Sequence, residues 1–164
     1  MSSLLKATMM SVLLVFTAAC GADNAAKGSA AAEIKVENPY VRAVPPGQPN
    51  SAAFLTLVSS SAKAHSIKSA ASPVAATVEL HTHTNNNGVM EMRQVPQIDI
   101  PANGKTELKP GGLHIMLIGL KQNLKAGENA NVTLQFEDGS SSTITAPIQA
   151  VTPPAGMGMG HTAH

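Results

Sequence analysis

Short runs of alternating apolar and polar residues divide this sequence, and the alternation constrains the fold more than any other feature. Residues 77–84 alternate cleanly, with Val78 and Leu80 on one face of a predicted strand. Similar short runs follow along the chain, separated by turns rich in Gly, Pro, Asn and Ser. No run shows convincing helical periodicity. The pattern predicts an all-β domain, an antiparallel sandwich or small barrel with Greek-key connections.

Local pairings follow from the turn signals. Residues 52–59 and 64–70 are predicted to form a hairpin across a Ser-rich turn, and residues 132–136 and 142–148 to form the last hairpin. The Asn-rich turn at residues 85–88 is predicted to reverse the chain into another strand.

At 164 residues the chain is long enough for one domain with a core and short tails. We predict a folded domain at residues 33–151, a flexible tether at 21–32 and a disordered Met/His-rich tail at 152–164. Aromatic residues are only 2% of the chain, so the core must be mainly aliphatic. The net charge is +1 and no basic run is interleaved with aromatics, which argues against nucleic acid as a partner. We expect a monomer.

Residues 1–20 have the organisation of an export signal. Lys6 gives a basic start, and the apolar run that follows is too short to span a bilayer. The small residues before Cys20 resemble the processing box of bacterial lipoproteins, in which the cysteine becomes lipidated. Ordinary cleavage near Ala19 or Ala22 is the alternative. The expected location is the periplasm or cell envelope, with membrane contact only through a lipid on Cys20, the single cysteine.

Histidine and methionine residues occupy the polar faces of the predicted strands between residues 78 and 120. The set His81, Met92, His114 and Met116 has the spacing H-x10-M-x21-H-x-M. Hard cations prefer oxygen ligands and Zn²⁺ prefers thiolate or carboxylate beside histidine, whereas imidazole with thioether suits Cu(I). Residues i and i+2 of a strand share a face about 7 Å apart, so His114 and Met116 lean toward one point. These residues predict a Cu(I) site.

Further candidate donors lie near this set and in the tail. A methionine in a β-sandwich is often core filler, His65 and His83 also fit ordinary surface histidines, and the tail also fits an inert terminus. The auxiliary candidates are Met90, His83, Met157, Met159, His161 and His164.

The spaced motif, with the segments GVMEMR, PGGLHIMLIGL and VRAVPPGQPNSAAFLTL, resembles the PCu(A)C family of periplasmic copper chaperones over residues 34–151. The resemblance implies a cupredoxin-like, immunoglobulin-like Greek-key barrel that binds Cu(I) through the four motif residues. It further implies delivery to the CuA centre of cytochrome c oxidase subunit II, often with a Sco-type thiol protein. His83 stands where many relatives have methionine. The tail resembles extensions associated with a second copper, often Cu(II), which His161 and His164 would suit.

Other functions compete with that of a Cu(I) carrier. A periplasmic copper buffer or resistance protein without an oxidase client fits the same residues, and a structural adhesion-type sandwich would have no copper affinity. A blue-copper electron carrier is excluded because it needs a cysteine ligand and Cys20 lies in the export signal. An enzyme is not predicted, since four protein ligands leave no open coordination position and no nucleophile arrangement is recognisable.

Overall fold

A computed structural model describes residues 28–150, which form an almost wholly β domain. The elements are α1 (Ala30–Glu33), β1 (Ile34–Arg42), β2 (Asn50–Ser59), β3 (His65–Ala71), β4 (Ala75–Asn86), β5 (Val89–Gln94), β6 (Ile98–Ile100), β7 (Lys105–Leu108), β8 (His114–Leu120), β9 (Asn129–Phe136) and β10 (Ser141–Gln149). The predicted all-β class is confirmed. Within the described range, no helix has the length and apolarity needed to cross a bilayer. The predicted export signal and tail lie outside it.

The strands hydrogen-bond in the order β5-β4-β8-β2-β1-β10-β9-β3-β6, with β7 beside β2. Strands β5 and β6 are edges, so the sheet is open. All pairs are antiparallel except β1 and β10, which meet over two residue pairs, Val41 with Ile148 and Arg42 with Gln149. This short junction divides the strands into a first sheet, β5-β4-β8-β2-β1 with β7, and a second sheet, β10-β9-β3-β6.

The two sheets bury their apolar faces against each other in one cluster. Ile115 and Leu117 of β8 contribute from the first sheet and Val132 of β9 from the second, and none of the three is solvent-exposed. Because successive strand residues face opposite sides, burial of Ile115 and Leu117 turns His114 and Met116 away from the core. We call the side of the first sheet that faces away from the core the outer face.

Two predicted turns are present. The last hairpin forms between β9 and β10. In the β4–β5 hairpin Asn86 pairs with Val89, which leaves a two-residue loop of Asn87 and Gly88. Both loop residues have positive φ, 52° and 89°, as a type I′ turn requires. Asparagine and glycine tolerate that conformation, so the local sequence sets the register of β5 on β4.

The predicted hairpin of residues 52–59 with 64–70 is wrong. Strand β2 pairs with β1, β7 and β8, whereas β3 pairs with β6 and β9. The Ser-rich connection therefore crosses from the first sheet to the second. Alternation is the same whichever strand is the partner, so it cannot identify that partner.

The packed chain begins before residue 33, because α1 covers part of the predicted tether. Ala30 is completely buried. Asp138 Oδ2 accepts a hydrogen bond from the Ala30 backbone N–H at 2.7 Å. Hydrogen bonds from the Ser140 side chain and from the Ala30 backbone lower the pKa of Asp138 to about 2. The carboxylate at the β9–β10 turn thus holds α1 against the domain.

His65 in β3 is buried, with 4% of its side chain exposed, and not an ordinary surface histidine. Its Nδ1 lies 2.7 Å from Glu137 Oε1 and its Nε2 lies 3.0 Å from Glu33 Oε2. Ionised carboxylates only accept hydrogen bonds, so a ring bonded to both donates from both nitrogens and is a cation. The bond to Glu137, followed by that to Glu33, raises the pKa of His65 against the opposing effect of burial.

The pKa values of Glu33 and Glu137 shift in the opposite direction to that of His65. The hydrogen bond from Ser61, followed by that from His65, lowers the pKa of Glu33. Burial acts to raise the pKa of Glu137, but hydrogen bonds from the Ser66 backbone and from His65 outweigh it and lower that pKa. The three groups therefore stabilise one another's charged forms.

We predict a pH window for this cluster. The His65 contribution to the free energy of unfolding is fully present below the ordinary pKa of 6.5 and is lost as pH rises through the raised value. The Glu33 and Glu137 contributions are present above 4.5 and are lost as pH falls through the lowered values. At pH 6, His65→Gln should lower the free energy of unfolding by about 1–3 kcal/mol.

Urea unfolding at pH 6 and pH 9 measures this effect. The difference between parent and His65→Gln should shrink from pH 6 to pH 9, because the imidazole loses its charge as pH rises through the raised pKa of His65. Lys68→Gln, on the exposed side of the same strand, should follow the parent profile. An equal deficit of His65→Gln at both pH values would show that the charge of His65 contributes nothing.

Candidate metal site

Five candidate donors share the outer face of the first sheet. In the β4–β8 pair, His81 lies directly opposite His114. In the β4–β5 pair, His83 lies directly opposite Met92. Met116 follows His114 by two residues and is on the same face. Directly opposed residues on antiparallel strands share a face with Cβ atoms about 5 Å apart, so the pairing of three strands gathers all five.

A pocket of about 170 Å³ opens on this face. Three of the four predicted ligands line it, together with His83. His81 does not line it, but its ring centroid lies 5.7 Å from that of His114. The lining residues are Arg42, Ala52, Phe54, His83, Met92, Pro110, Gly111, His114 and Met116.

His114 is held in one orientation at the floor of the pocket. The residue is 2% exposed, and its Nδ1 donates a 3.0 Å hydrogen bond to the Gly112 carbonyl. Burial lowers the pKa of His114, although that hydrogen bond opposes the shift. The neutral ring with its proton on Nδ1 keeps a lone pair on Nε2. Metal binding requires this form of histidine.

The loop before β8 positions two histidines at once. Gly111 has a positive φ of 80°, and the Gly112 N–H donates to the Lys109 carbonyl at 3.0 Å, which closes a tight turn. The Gly112 carbonyl accepts from the His83 backbone N–H at 3.2 Å as well as from the ring of His114. One carbonyl thus fixes the His83 backbone and the His114 imidazole.

Glu79 orients His81 and was missed by the sequence reasoning. His81 Nε2 donates to Glu79 Oε2 at 2.8 Å, which leaves the lone pair of the neutral ring on Nδ1. The only signal in the sequence is that Glu79 precedes His81 by two residues and shares its face. His81 Nδ1 and His83 Nδ1 are both buried and have no hydrogen-bond partner. Each of these nitrogens is available to bind a metal ion.

Phe54 and Arg42 are among the pocket residues that were not predicted. The ring of Phe54, which is 3% exposed, packs between Tyr40 and His114 with centroid distances of 5.1 and 6.3 Å. It gives the pocket an apolar wall. Arg42 also lines the pocket, and its charge contributes to the lowered pKa of His114 after burial and the neighbouring histidines.

The methionines differ in exposure. Met92 is 49% exposed and lies on the edge strand β5. Met90 is 54% exposed, which excludes the alternative that it fills the core. It does not line the pocket. Across residues 28–150, no three side chains of His, Cys, Asp or Glu form a group able to hold a metal ion. The candidate site is therefore a mixed set of imidazole and thioether donors, which suits a soft ion.

The remaining predicted residues lie outside the described range. They are Cys20, Met157, Met159, His161 and His164.

Comparison with solved structures confirms the cupredoxin-like fold. A copper-bound PCuAC domain from PmoF2 superposes with a TM-score of 0.63 at 24% identity, covering 75% of this chain and 97% of that one. The apo solution structure of DR1885 from Deinococcus radiodurans is 34% identical with a TM-score of 0.59, covering 92% and 97% of the two chains. A Cu(I) form of DR1885 matches at 38% identity and a TM-score of 0.58, covering 70% and 76%.

Sequence comparison assigns the family. A putative lipoprotein of Leifsonia xyli subsp. xyli, Lxx21020, is 33% identical over 151 residues, which is 89% of this chain and 90% of that protein. The model of the family described as "Putative lipoprotein LpqE-like" matches residues 34–148, nearly all of the described domain. The chain belongs to the LpqE-like family.

Proposed function

We propose that this chain is a cell-envelope metallochaperone that binds Cu(I) through His81, Met92, His114 and Met116. It delivers the ion to the CuA centre of cytochrome c oxidase during assembly of that enzyme. The observation that carries the proposal is the outer-face group of imidazoles and thioethers, in which His81 has a buried nitrogen without a partner. The Cu(I) form of the 38% identical DR1885 supports the choice of ion.

The donor chemistry favours a carrier of Cu(I). All four ligands are neutral, so the complex keeps only the single positive charge of the ion. Glu79 and the Gly112 carbonyl hold the rings of His81 and His114 in tautomers that each leave one nitrogen available. The four ligands are supplied by the protein, which suits transport better than catalysis.

Release follows from the unequal exposure of the ligands. Met92 is half exposed on an edge strand, whereas His114 is almost completely buried. An incoming ligand of a partner therefore replaces the Met92 thioether first, and His114 leaves last. Ligands are exchanged and the copper keeps its oxidation state.

The location and partners belong to the same proposal. Cys20 carries a lipid at the envelope membrane, which is supported by the family description and by the name of the Leifsonia relative. The client is subunit II of cytochrome c oxidase, and a Sco-type thiol protein takes part. The tail holds a second copper, Cu(II), through His161 and His164.

The first test is Cu(I) affinity, measured on the purified chain by competition with a chromogenic chelator. Met116→Leu keeps the side-chain volume but removes the sulfur, and His114→Phe keeps a ring against Phe54 but removes the nitrogens. Each should weaken binding of the first equivalent by at least about tenfold, or 1.4 kcal/mol. Ile118→Ala, at the next outer-face position of β8, should bind like the parent. Parent-like affinity in both ligand variants would reject this site.

The second test is transfer. The Cu(I)-loaded chain is mixed with the soluble copper-binding fragment of subunit II under reducing conditions, the proteins are separated, and the copper in each is measured. Copper should move to the fragment, and less should move to a fragment whose copper-binding cysteines are replaced by serine. Met92→Leu should transfer faster because its most exposed ligand is absent. Retention of copper on the parent would instead match a periplasmic buffer without an oxidase client.

A further inference from the structure

His83 has the surroundings of a ligand, although the predicted motif does not include it. It lines the pocket with Met92, His114 and Met116. Its ring stacks on that of His114, with centroids 5.0 Å apart and an interplanar angle of 26°. The His81 ring, by comparison, is 5.7 Å from His114 and lies outside the pocket lining.

The hydrogen bonding of His83 distinguishes it from a structural histidine. Its Nδ1 is buried and has no partner in the described part of the chain. His65, the structural histidine, has a carboxylate on each ring nitrogen. An unpaired buried polar nitrogen costs free energy unless something binds it. At the edge of a pocket with other donors, a metal ion is the natural partner.

The backbone of His83 is fixed where a ligand needs it. Its N–H donates to the Gly112 carbonyl, which also holds the ring of His114. Its cross-strand partner is Met92, itself a predicted ligand. In the described residues the three imidazoles do not converge as a metal-holding group, so binding of an ion shared with His114 and Met92 requires the side-chain torsions of His83 to change.

An additional imidazole changes which oxidation state the pocket favours. Two imidazoles with two thioethers suit Cu(I), whereas Cu(II) prefers nitrogen and oxygen donors in a tetragonal arrangement. With His83 the outer face offers the imidazoles of His81, His83 and His114. Their number shifts the balance of donors from sulfur toward nitrogen.

We propose that His83 is a further copper ligand, and that its imidazole enables this pocket to bind Cu(II) as well as Cu(I), one ion at a time. The inference rests on the proposed function of the pocket as a copper site. It requires no electron transfer within the protein, because each oxidation state enters from solution.

The test compares both oxidation states in a chain whose tail imidazoles are removed. The full chain carries His161→Ala and His164→Ala, so that Cu(II) bound by the tail does not obscure the pocket. In this background His83→Phe keeps an aromatic ring beside His114 without a nitrogen, and His83→Met supplies a thioether instead. Thr82→Ala, on the opposite face of β4, is the control. Affinities come from chelator competition, and the ligands of Cu(II) from electron paramagnetic resonance.

The parent background should bind one Cu(II) with nitrogen hyperfine coupling from at least two imidazoles. His83→Phe should lose at least about tenfold in Cu(II) affinity and lose one coupled nitrogen, while its Cu(I) affinity changes by less than about threefold. His83→Met should lose Cu(II) affinity in the same way and keep Cu(I) affinity. Thr82→Ala should match the parent for both ions.

The outcomes separate the two proposals. Unchanged Cu(II) affinity and unchanged nitrogen coupling in His83→Phe, with Cu(I) binding intact, would overturn the role of His83 and leave the Cu(I) site standing. Binding of Cu(I) but not of Cu(II) by the chain with His161→Ala and His164→Ala and an intact His83 would also overturn the role of His83 and leave the Cu(I) site standing. Absence of Cu(I) binding in the parent would reject the copper site itself, and with it the role of His83.

Discussion

The candidate site depends on the antiparallel pairing of β4 with β8. That pairing sets His81 opposite His114. The adjacent cross-strand pair, Leu80 and Ile115, faces the core. The burial of the apolar residues therefore holds the donors on the outer face. A slip of one residue would bury the imidazoles and expose the core, so the register is maintained by the same free energy that stabilises the fold.

Sequence patterns predicted the features that depend on nearest neighbours along the chain. Alternation predicted strands, and the Asn-rich residues 85–88 predicted a chain reversal, which the structure forms as a turn with positive φ at Asn87 and Gly88. The pairing partners of β2 could not be predicted, because alternation specifies which face of a strand is buried and not which strand lies beside it. The grouping of His81, Met92 and His114 on one face was expected from the spaced motif and from the family resemblance, and the pairing of three strands produces it.

Contacts between distant residues account for what was missed. His65 looked like a surface residue because Glu33 and Glu137, its partners, lie 32 and 72 residues away. Glu79 carried a weak signal, two residues from His81 on the same strand. The sequence pattern does not distinguish His83 from a solvent-facing histidine, because the Gly112 carbonyl that accepts from its backbone N–H belongs to a distant loop.

Hydrogen bonding distinguishes the structural histidine His65 from His81 and His83 of the candidate site. Both ring nitrogens of His65 are bonded to carboxylates, which fixes it as a charged structural group at the α1 end of the domain. The rings of His81 and His83 each keep a buried nitrogen without a partner. A cation at either of those positions would be repelled by a bound metal, whereas a neutral ring offers a lone pair. The domain thus uses one residue type for two purposes, and the partners of each ring decide which.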